Sequence, residues 1–279
     1  MKELFDISSF KCSQTITREY STSFSSAVKM LGPSIRMDIH AIYGFVRLAD
    51  EIVDTFHNYD KNVLLDEFEQ DYFKAKERGI SMNPILNSFV LTVIKYNIPD
   101  QMVLDFLRSM KLDLEKTVYH TEEEYKNYIY GSADVVGLMC LKVFVGNDQD
   151  MYDRLKDSAM RLGSAFQKVN FLRDLKDDYE VLNRSYFPNI NFENLSNDMK
   201  QQIIDEINAD FEAALYGIKN LPASSRFGVY TAFKYYKRLL HKLSKTPSEH
   251  ILTTRIRVSD PVKLLLLTKS YVNFKLNLI

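Results

Sequence analysis

The sequence predicts an all-α fold built as one helical bundle, and three observations carry that expectation. Helix breakers are few: 9 glycines and 7 prolines in 279 residues. Apolar residues recur at three- and four-residue intervals along nearly the whole chain, between many Leu, Ile, Lys, Glu and Asp residues that favour helix. No segment sustains the two-residue alternation of a half-buried strand, so no sheet is expected. Hydrophobic residues make up 46%, enough for a large core. No repeat, low-complexity stretch or long linker interrupts residues 1–279, which read as one domain.

About ten helices are predicted, each bounded by local punctuation. The first, Phe10–Met30, stops before Gly32-Pro33, and Pro33 opens the second, Pro33–Asp54, from the first helical position. Lys61–Arg78 and then Pro84–Tyr96 follow, the latter starting behind Asn83. Pro99-Asp100 opens Asp100–Leu114. Glu122–Phe144 ends at Gly146-Asn147, and Met151–Glu180 is the longest. Asn197–Gly217, Pro222–Ser244 and Pro261–Leu276 complete the set, with Leu221-Pro222 and Asp260-Pro261 as starts.

Composition excludes several classes. A formal net charge of -1 provides no basic surplus for nucleic acid. Cys12 and Cys140 form no disulfide framework and lack metal-ligand spacing, which points to a reducing, cytoplasmic setting. Residues 1–10 carry Lys2, Glu3 and Asp6 and lack an apolar leader core. The longest apolar run, Val135–Val145, contains Lys142 and is too short to span a bilayer. The expectation is a chain without a transmembrane helix that can still touch a membrane surface. His40, His57, His120, His241 and His250 are scattered and form no ligand set. Met110, Met139 and Met160 read as core filler.

The chemistry sits on two acidic stripes. At about 100° per residue, Tyr43, Arg47, Asp50 and Asp54 fall on one narrow helical face beside Ile42, Val46, Ala49 and Val53. Carboxylates in apolar surroundings need compensation. Mg²⁺ supplies it, because it prefers carboxylate oxygens and completes its shell with substrate phosphates. A second stripe, Gln167, Asn170, Asp174 and Asp178, repeats the Asp-x-x-x-Asp spacing. If the two helices face each other, four carboxylates meet in one cavity, with Arg47 and Arg173 supplying positive charge for phosphates. One such pair is a weak signal: 37 acidic residues in 279 generate about five by chance. The Arg, Asn and Gln companions and the apolar setting strengthen it.

At these residues the chain resembles the squalene/phytoene synthase family of head-to-head prenyl transferases, and within it the bacterial phytoene-forming members. Tyr20-Ser21-Thr22-Ser23-Phe24 is similar to its N-terminal Ser-x-Ser-Phe segment. Ala41-Ile42-Tyr43 through Arg47 to Asp50-Glu51-Ile52-Val53-Asp54 resembles its first aspartate-rich motif. Tyr128 to Gly137 is similar to Tyr-x-Tyr-x-x-Ala-x-x-Val-Gly. Gln167 to Asp178 resembles the second motif, and Arg184-Ser185-Tyr186-Phe187-Pro188 its sequel. The resemblance covers nearly the whole chain. Two departures stand out: Thr22 occupies the place of a basic residue, and Asn183 that of a glycine before the sequel.

The resemblance implies an isoprenoid synthase fold, a helical bundle around a central apolar cavity. It implies Asp50, Asp54, Asp174 and Asp178 as ligands for several Mg²⁺ ions bound with diphosphate. Ser21, Tyr43, Arg47, Asn170, Arg173 and Arg255 would contact phosphate oxygens. Gln167 and Tyr128 would line the reacting end, and Tyr236 matches a late tyrosine. Tyr235 competes with Tyr236, and Arg257 with Arg255. The implied reaction joins two geranylgeranyl diphosphates through a cyclopropyl diphosphate to phytoene, the first step of carotenoid synthesis. Quenching by proton loss is favoured, without NADPH, because no Gly-x-Gly-x-x-Gly fingerprint is present. A C15-specific dehydrosqualene or squalene synthase is the alternative. A head-to-tail synthase or terpene cyclase fits residues 170–178 and 184–188 less well, and a non-catalytic assembly factor would have less need of four intact aspartates.

Substrate length is argued from size. Small residues after Phe24 (Ser25, Ser26, Ala27, Val28), with His40 opposite, would leave a deep floor that suits C20 chains. Apolar exits are expected near Leu264–Leu267 or along the helix after Tyr20.

Overall fold

The computed structural model describes the whole chain except Asn183, 189–194 and Asn277. The Asn183 departure therefore lies outside the described residues. Helices follow one another in the order α1 (Lys2–Tyr20), α2 (Thr22–Val28), α3 (Pro33–Thr55), α4 (Lys61–Arg78), α5 (Pro84–Lys95), α6 (Asp100–Glu115) and α7 (Glu122–Ile129). A π-helical turn, Tyr130–Asp134, leads into α8 (Val135–Val145). Next come α9 (Gln149–Glu180), α10 (Asn197–Asn220), α11 (Ala223–Lys245), α12 (Ser248–Ile251) and α13 (Asp260–Lys275). No strand occurs among the described residues, where a single bridge pairs Val118 with Ser185.

Asn83 starts its helix as the sequence suggests, and the structure adds further side-chain caps. Asp60, Asn83, Thr121, Asp148 and Ser196 each cap a helix by accepting a backbone N–H with the side chain. Gly79 ends α4 at φ 70, a conformation that a Cβ would strain. Three features depart from the expectation. The first helix starts at Lys2 and breaks at Ser21, whose extended backbone (φ -147) ends α1 while its hydroxyl caps α2. The predicted Glu122–Phe144 helix contains the π turn. The short α12 carries no periodic signal of its own.

The apolar face of α3 is the centre of the first half. Phe45 stacks on Phe89 of α5 at 3.9 Å and on Phe68 of α4 at 5.2 Å. In the second half α9 packs against α8 and α10. A Cβ on Gly163 would sit 2.6 Å from the Ala133 carbonyl oxygen, and one on Gly137 would sit 2.7 Å from that of Ala159. These glycines let the two backbones nearly touch, which sets the position of the second acidic stripe. On the other face of α9, buried Lys168 donates to Asp210 of α10 at 2.7 Å. The run 122–145 is continuous through the π turn, so it is longer than the apolar sequence run implied. Among the described residues it is the one helix long and apolar enough to cross a membrane, and more than half of its apolar window is buried in the bundle.

Candidate active site

One cavity of about 540 Å³ opens between α2, α3, α8, α9, α10 and α11. Its walls run in a common sense. Arg47, Asp50 and Asp54 of α3, Asp174 and Asp178 of α9, Tyr128, and Arg184 surround the mouth. Ile39, Phe144, Leu155, Leu221 and Gly228 line the depth. The Asp-x-x-x-Asp stripes of α3 and α9 thus face one space, because each follows the period that keeps one face inward. Every residue assigned from the sequence to catalysis, metal or phosphate is on this wall: Ser21, Tyr43, Arg47, Asp50, Asp54, Tyr128, Gln167, Asn170, Arg173, Asp174, Asp178, Tyr236 and Arg255. Tyr235 and Arg257 are not.

The charges pair unevenly. Arg173 forms a bidentate pair with Asp174, its Nε donating at 2.8 Å, and Arg255 adds a second guanidinium at 2.9 Å. Arg184 donates to Asp54 at 2.7 Å. Arg47 is paired with Glu51, its Nε at 3.1 Å, and lies over the Tyr20 ring. Burial, reinforced by the neighbouring Asp54 charge, pushes Asp50 up to about 8. Burial and the Asp174 and Asp54 charges do the same to Asp178. Tyr43, stacked on Phe24, is pushed up to about 12, chiefly by burial. Tyr236 donates to Asn170 Oδ1 at 3.3 Å and stacks on Phe166 at 4.0 Å.

Sequence reasoning gave no role to Asp113. This carboxylate, 8% exposed, accepts the Tyr128 hydroxyl at 2.6 Å and the Tyr119 hydroxyl at 3.5 Å. Its backbone carbonyl accepts from Arg184 at 3.1 Å. Arg184 therefore links Asp113 on α6 to Asp54 on α3, and burial pushes Asp113 up to about 7. A readable signal existed: Asp113 follows Val103, Phe106, Leu107 and Met110 on the apolar face of α6, where a lone acid needs a partner. Tyr119, Tyr128, Tyr186 and Phe171 stack around it.

The expected floor differs in part. Ala27 and Val28 line the cavity, but Ser25, Ser26 and His40 do not. His40 is about 100° from Ile39 around α3, so its ring turns away from the cavity toward Arg18 of α1 and Arg36. Leu264–Leu267 also lie off the cavity wall, because α13 packs along the outside of α11. Of the two expected exits, only the segment after Tyr20 borders the cavity.

A divalent cation fits this donor set. The oxygens are hard, and burial together with neighbouring carboxylate charge raises Asp50 and Asp178, a cost that a cation would offset. Among the described residues no three His, Cys, Asp or Glu side chains form a cage for an ion by themselves. That suits Mg²⁺, which takes one or two carboxylates and completes its shell with substrate phosphates.

Comparison with known proteins agrees with this geometry. Residues 17–261 match the squalene/phytoene synthase family profile. The phytoene synthase of Pseudescherichia vulneris is 26% identical over 244 residues, covering 78% of this chain and 77% of its own. The 15-cis-phytoene synthase of Synechocystis is 27% identical over 291 residues, covering 94% and 84%. In fold, a dehydrosqualene synthase solved with a ligand superposes with a TM-score of 0.83 at 21% identity, over 97% of this chain and 98% of its own. A squalene synthase from Alicyclobacillus acidocaldarius superposes at 0.73 with 20% identity, over 86% and 95%. With both aspartate stripes facing one cavity and the profile spanning most of its length, the chain belongs to the squalene/phytoene synthase family.

Proposed function

We propose that this prenyltransferase condenses two geranylgeranyl diphosphates head to head to phytoene, through a cyclopropyl diphosphate, in a cytoplasmic setting. The observation that carries the reading is the polarity of the cavity: carboxylates and arginines at one end, an apolar wall behind them. Asp50, Asp54, Asp174 and Asp178 would hold Mg²⁺, whose charge neutralises the diphosphate as it leaves. Arg47, Arg173 and Arg255 bind phosphate oxygens, exchanging their present carboxylate partners for the substrate, with Ser21, Tyr43 and Asn170 beside them. The tail lies along Phe166, Val136 and Cys140, where water is excluded from the allylic cation.

The first substrate loses diphosphate, and its C1 cation is attacked by the double bond of the second. Loss of one proton closes the cyclopropane. The second diphosphate then leaves, the carbon skeleton rearranges, and a second proton loss forms the central double bond. Two diphosphates and two protons are released. Tyr128 and Gln167 border this reacting end. The Tyr128 hydroxyl is oriented by Asp113, so it presents its oxygen lone pairs to the cavity.

The test is incubation with C15 and C20 diphosphates and Mg²⁺, with and without NADPH, followed by product identification. C40 phytoene from the C20 substrate, independent of NADPH, is expected. A product formed only from C15 would replace this reading with a dehydrosqualene or squalene synthase. Absence of any Mg²⁺-dependent diphosphate release would leave a non-catalytic assembly factor.

A further inference from the structure

We propose that the contact between Leu31 and Gly228 sets the length of prenyl chain the cavity accepts. The inference rests on the prenyl diphosphate reading above and deepens it. Gly228 lies eight residues before Tyr236 on α11, about two turns or ~12 Å farther from the charged mouth. Leu31 follows α2 at the same depth, is 4% exposed, and lines the cavity.

The two residues interlock. A Cβ on Gly228 would lie 2.4 Å from Leu31 Cδ2 and 2.8 Å from its Cγ, with the Ala27 carbonyl oxygen at 3.1 Å. The missing side chain is what lets Leu31 lie flat against α11. The turn carrying Leu31 has no freedom to retreat. Gly32 N–H donates to the Ser224 carbonyl at 2.6 Å, and Arg36 Nε donates to the Leu31 carbonyl at 2.7 Å. Protein interiors are close-packed, so the open volume beside Leu31 is the cavity itself. A methyl group at position 228 therefore turns the Leu31 side chain into the cavity and shortens it. Truncating Leu31 deepens it. Removing both the notch and the side chain that fills it restores the depth.

The test measures binding, which needs no turnover. Wild type, Gly228→Ala, Leu31→Ala and the double variant are titrated calorimetrically with the unreactive S-thiolo diphosphates of C15 and C20 chains in Mg²⁺ buffer. One methylene in an apolar pocket discriminates by about tenfold or more. Gly228→Ala is expected to lose about tenfold in C20 affinity relative to C15. Leu31→Ala is expected to bind C20 at least as well as wild type, and the double variant to recover the wild-type ratio. An unchanged ratio in Gly228→Ala, or a double variant that keeps the Gly228→Ala ratio, overturns the inference. If Gly228→Ala fails to fold, Leu31→Phe provides the same intrusion, and an unmoved ratio there overturns it equally. A wild type that binds neither chain sinks the prenyl diphosphate reading and this inference with it. A wild type that binds both, with unmoved variants, sinks only the inference.

Discussion

Asp50 and Asp174 illustrate how one residue type performs two electrostatic jobs at one mouth. Asp174 is paired with Arg173 and Arg255, whereas burial and the Asp54 charge raise Asp50 despite Arg47 and Arg184 nearby. Both would serve the same cations, so Asp50→Asn and Asp174→Asn are each expected to lower kcat by about 100-fold or more, on the scale of lost electrostatic stabilisation. Steady-state kinetics beside circular dichroism checks this, and near-normal rates in either variant would remove the metal assignment. Chelation by EDTA is expected to stop diphosphate release, and added Mg²⁺ to restore it. His40 makes a pH prediction of another kind. Burial first, and then the Arg18 and Arg36 charges, lower it from 6.5 to about 4, and its Nδ1 has no partner. The unfolded chain binds this proton more readily, so the stabilising difference is complete above pH 6.5 and is lost as pH falls toward 4. The loss is on the order of 3 kcal/mol. Denaturant melts between pH 4 and 7 should show that slope, and His40→Gln should flatten it.

The elements matter through how closely they approach. Gly137 of α8 abuts the Ala159 carbonyl of α9, and Gly163 of α9 abuts that of Ala133 in the π turn, an approach that a Cβ at either glycine would block. Gly163→Ala places a methyl 2.6 Å from a backbone oxygen that has no rotamer to escape into. The expected cost is roughly 2 kcal/mol of stability. The helices should also part and displace Asn170 and Asp174, so thermal melts and kcat should fall together. A normal melting temperature would mean that the seam yields without strain. The break at Ser21 is a second example. A continuous helix was expected there, yet the serine leaves helical geometry and accepts the Phe24 N–H at 3.3 Å. Serine's own hydrogen-bonding group makes such an interruption cheap, and the break sets the angle at which Phe24 and Val28 meet the cavity.

At the scale of the whole molecule, the proposed prenyl substrates and hydrocarbon product would require a route to lipid. The outer face of α13 exposes Leu264, Leu265, Tyr271 and Val272, with Lys263 and Lys269 alongside. Exposed apolar side chains can rest in the headgroup region. Flotation with anionic vesicles is expected to recover the protein, and Leu264→Ser with Leu265→Ser to reduce that recovery several-fold. Full activity in lipid-free buffer without vesicle binding would argue against a membrane route.

The local features were legible because they depend on neighbours in sequence. Helical spacing alone placed Asp50 beside Asp54 and Asp174 beside Asp178, and punctuation such as Asn83-Pro84 marked where helices begin. Periodicity says which side of a helix is alike, but not which other helix it meets. Only the tertiary structure brought Arg184 to Asp54, 130 positions away, and gave Asp113 its tyrosines. Only it turned His40 away from the cavity and set Tyr236 rather than Tyr235 on the wall, since neighbouring residues on one helix point about 100° apart. Glycine carries no periodic signal, so the interlock of Gly228 with Leu31 had no trace in the sequence. Its effect depends on which backbone or side chain arrives from elsewhere to fill the space it leaves.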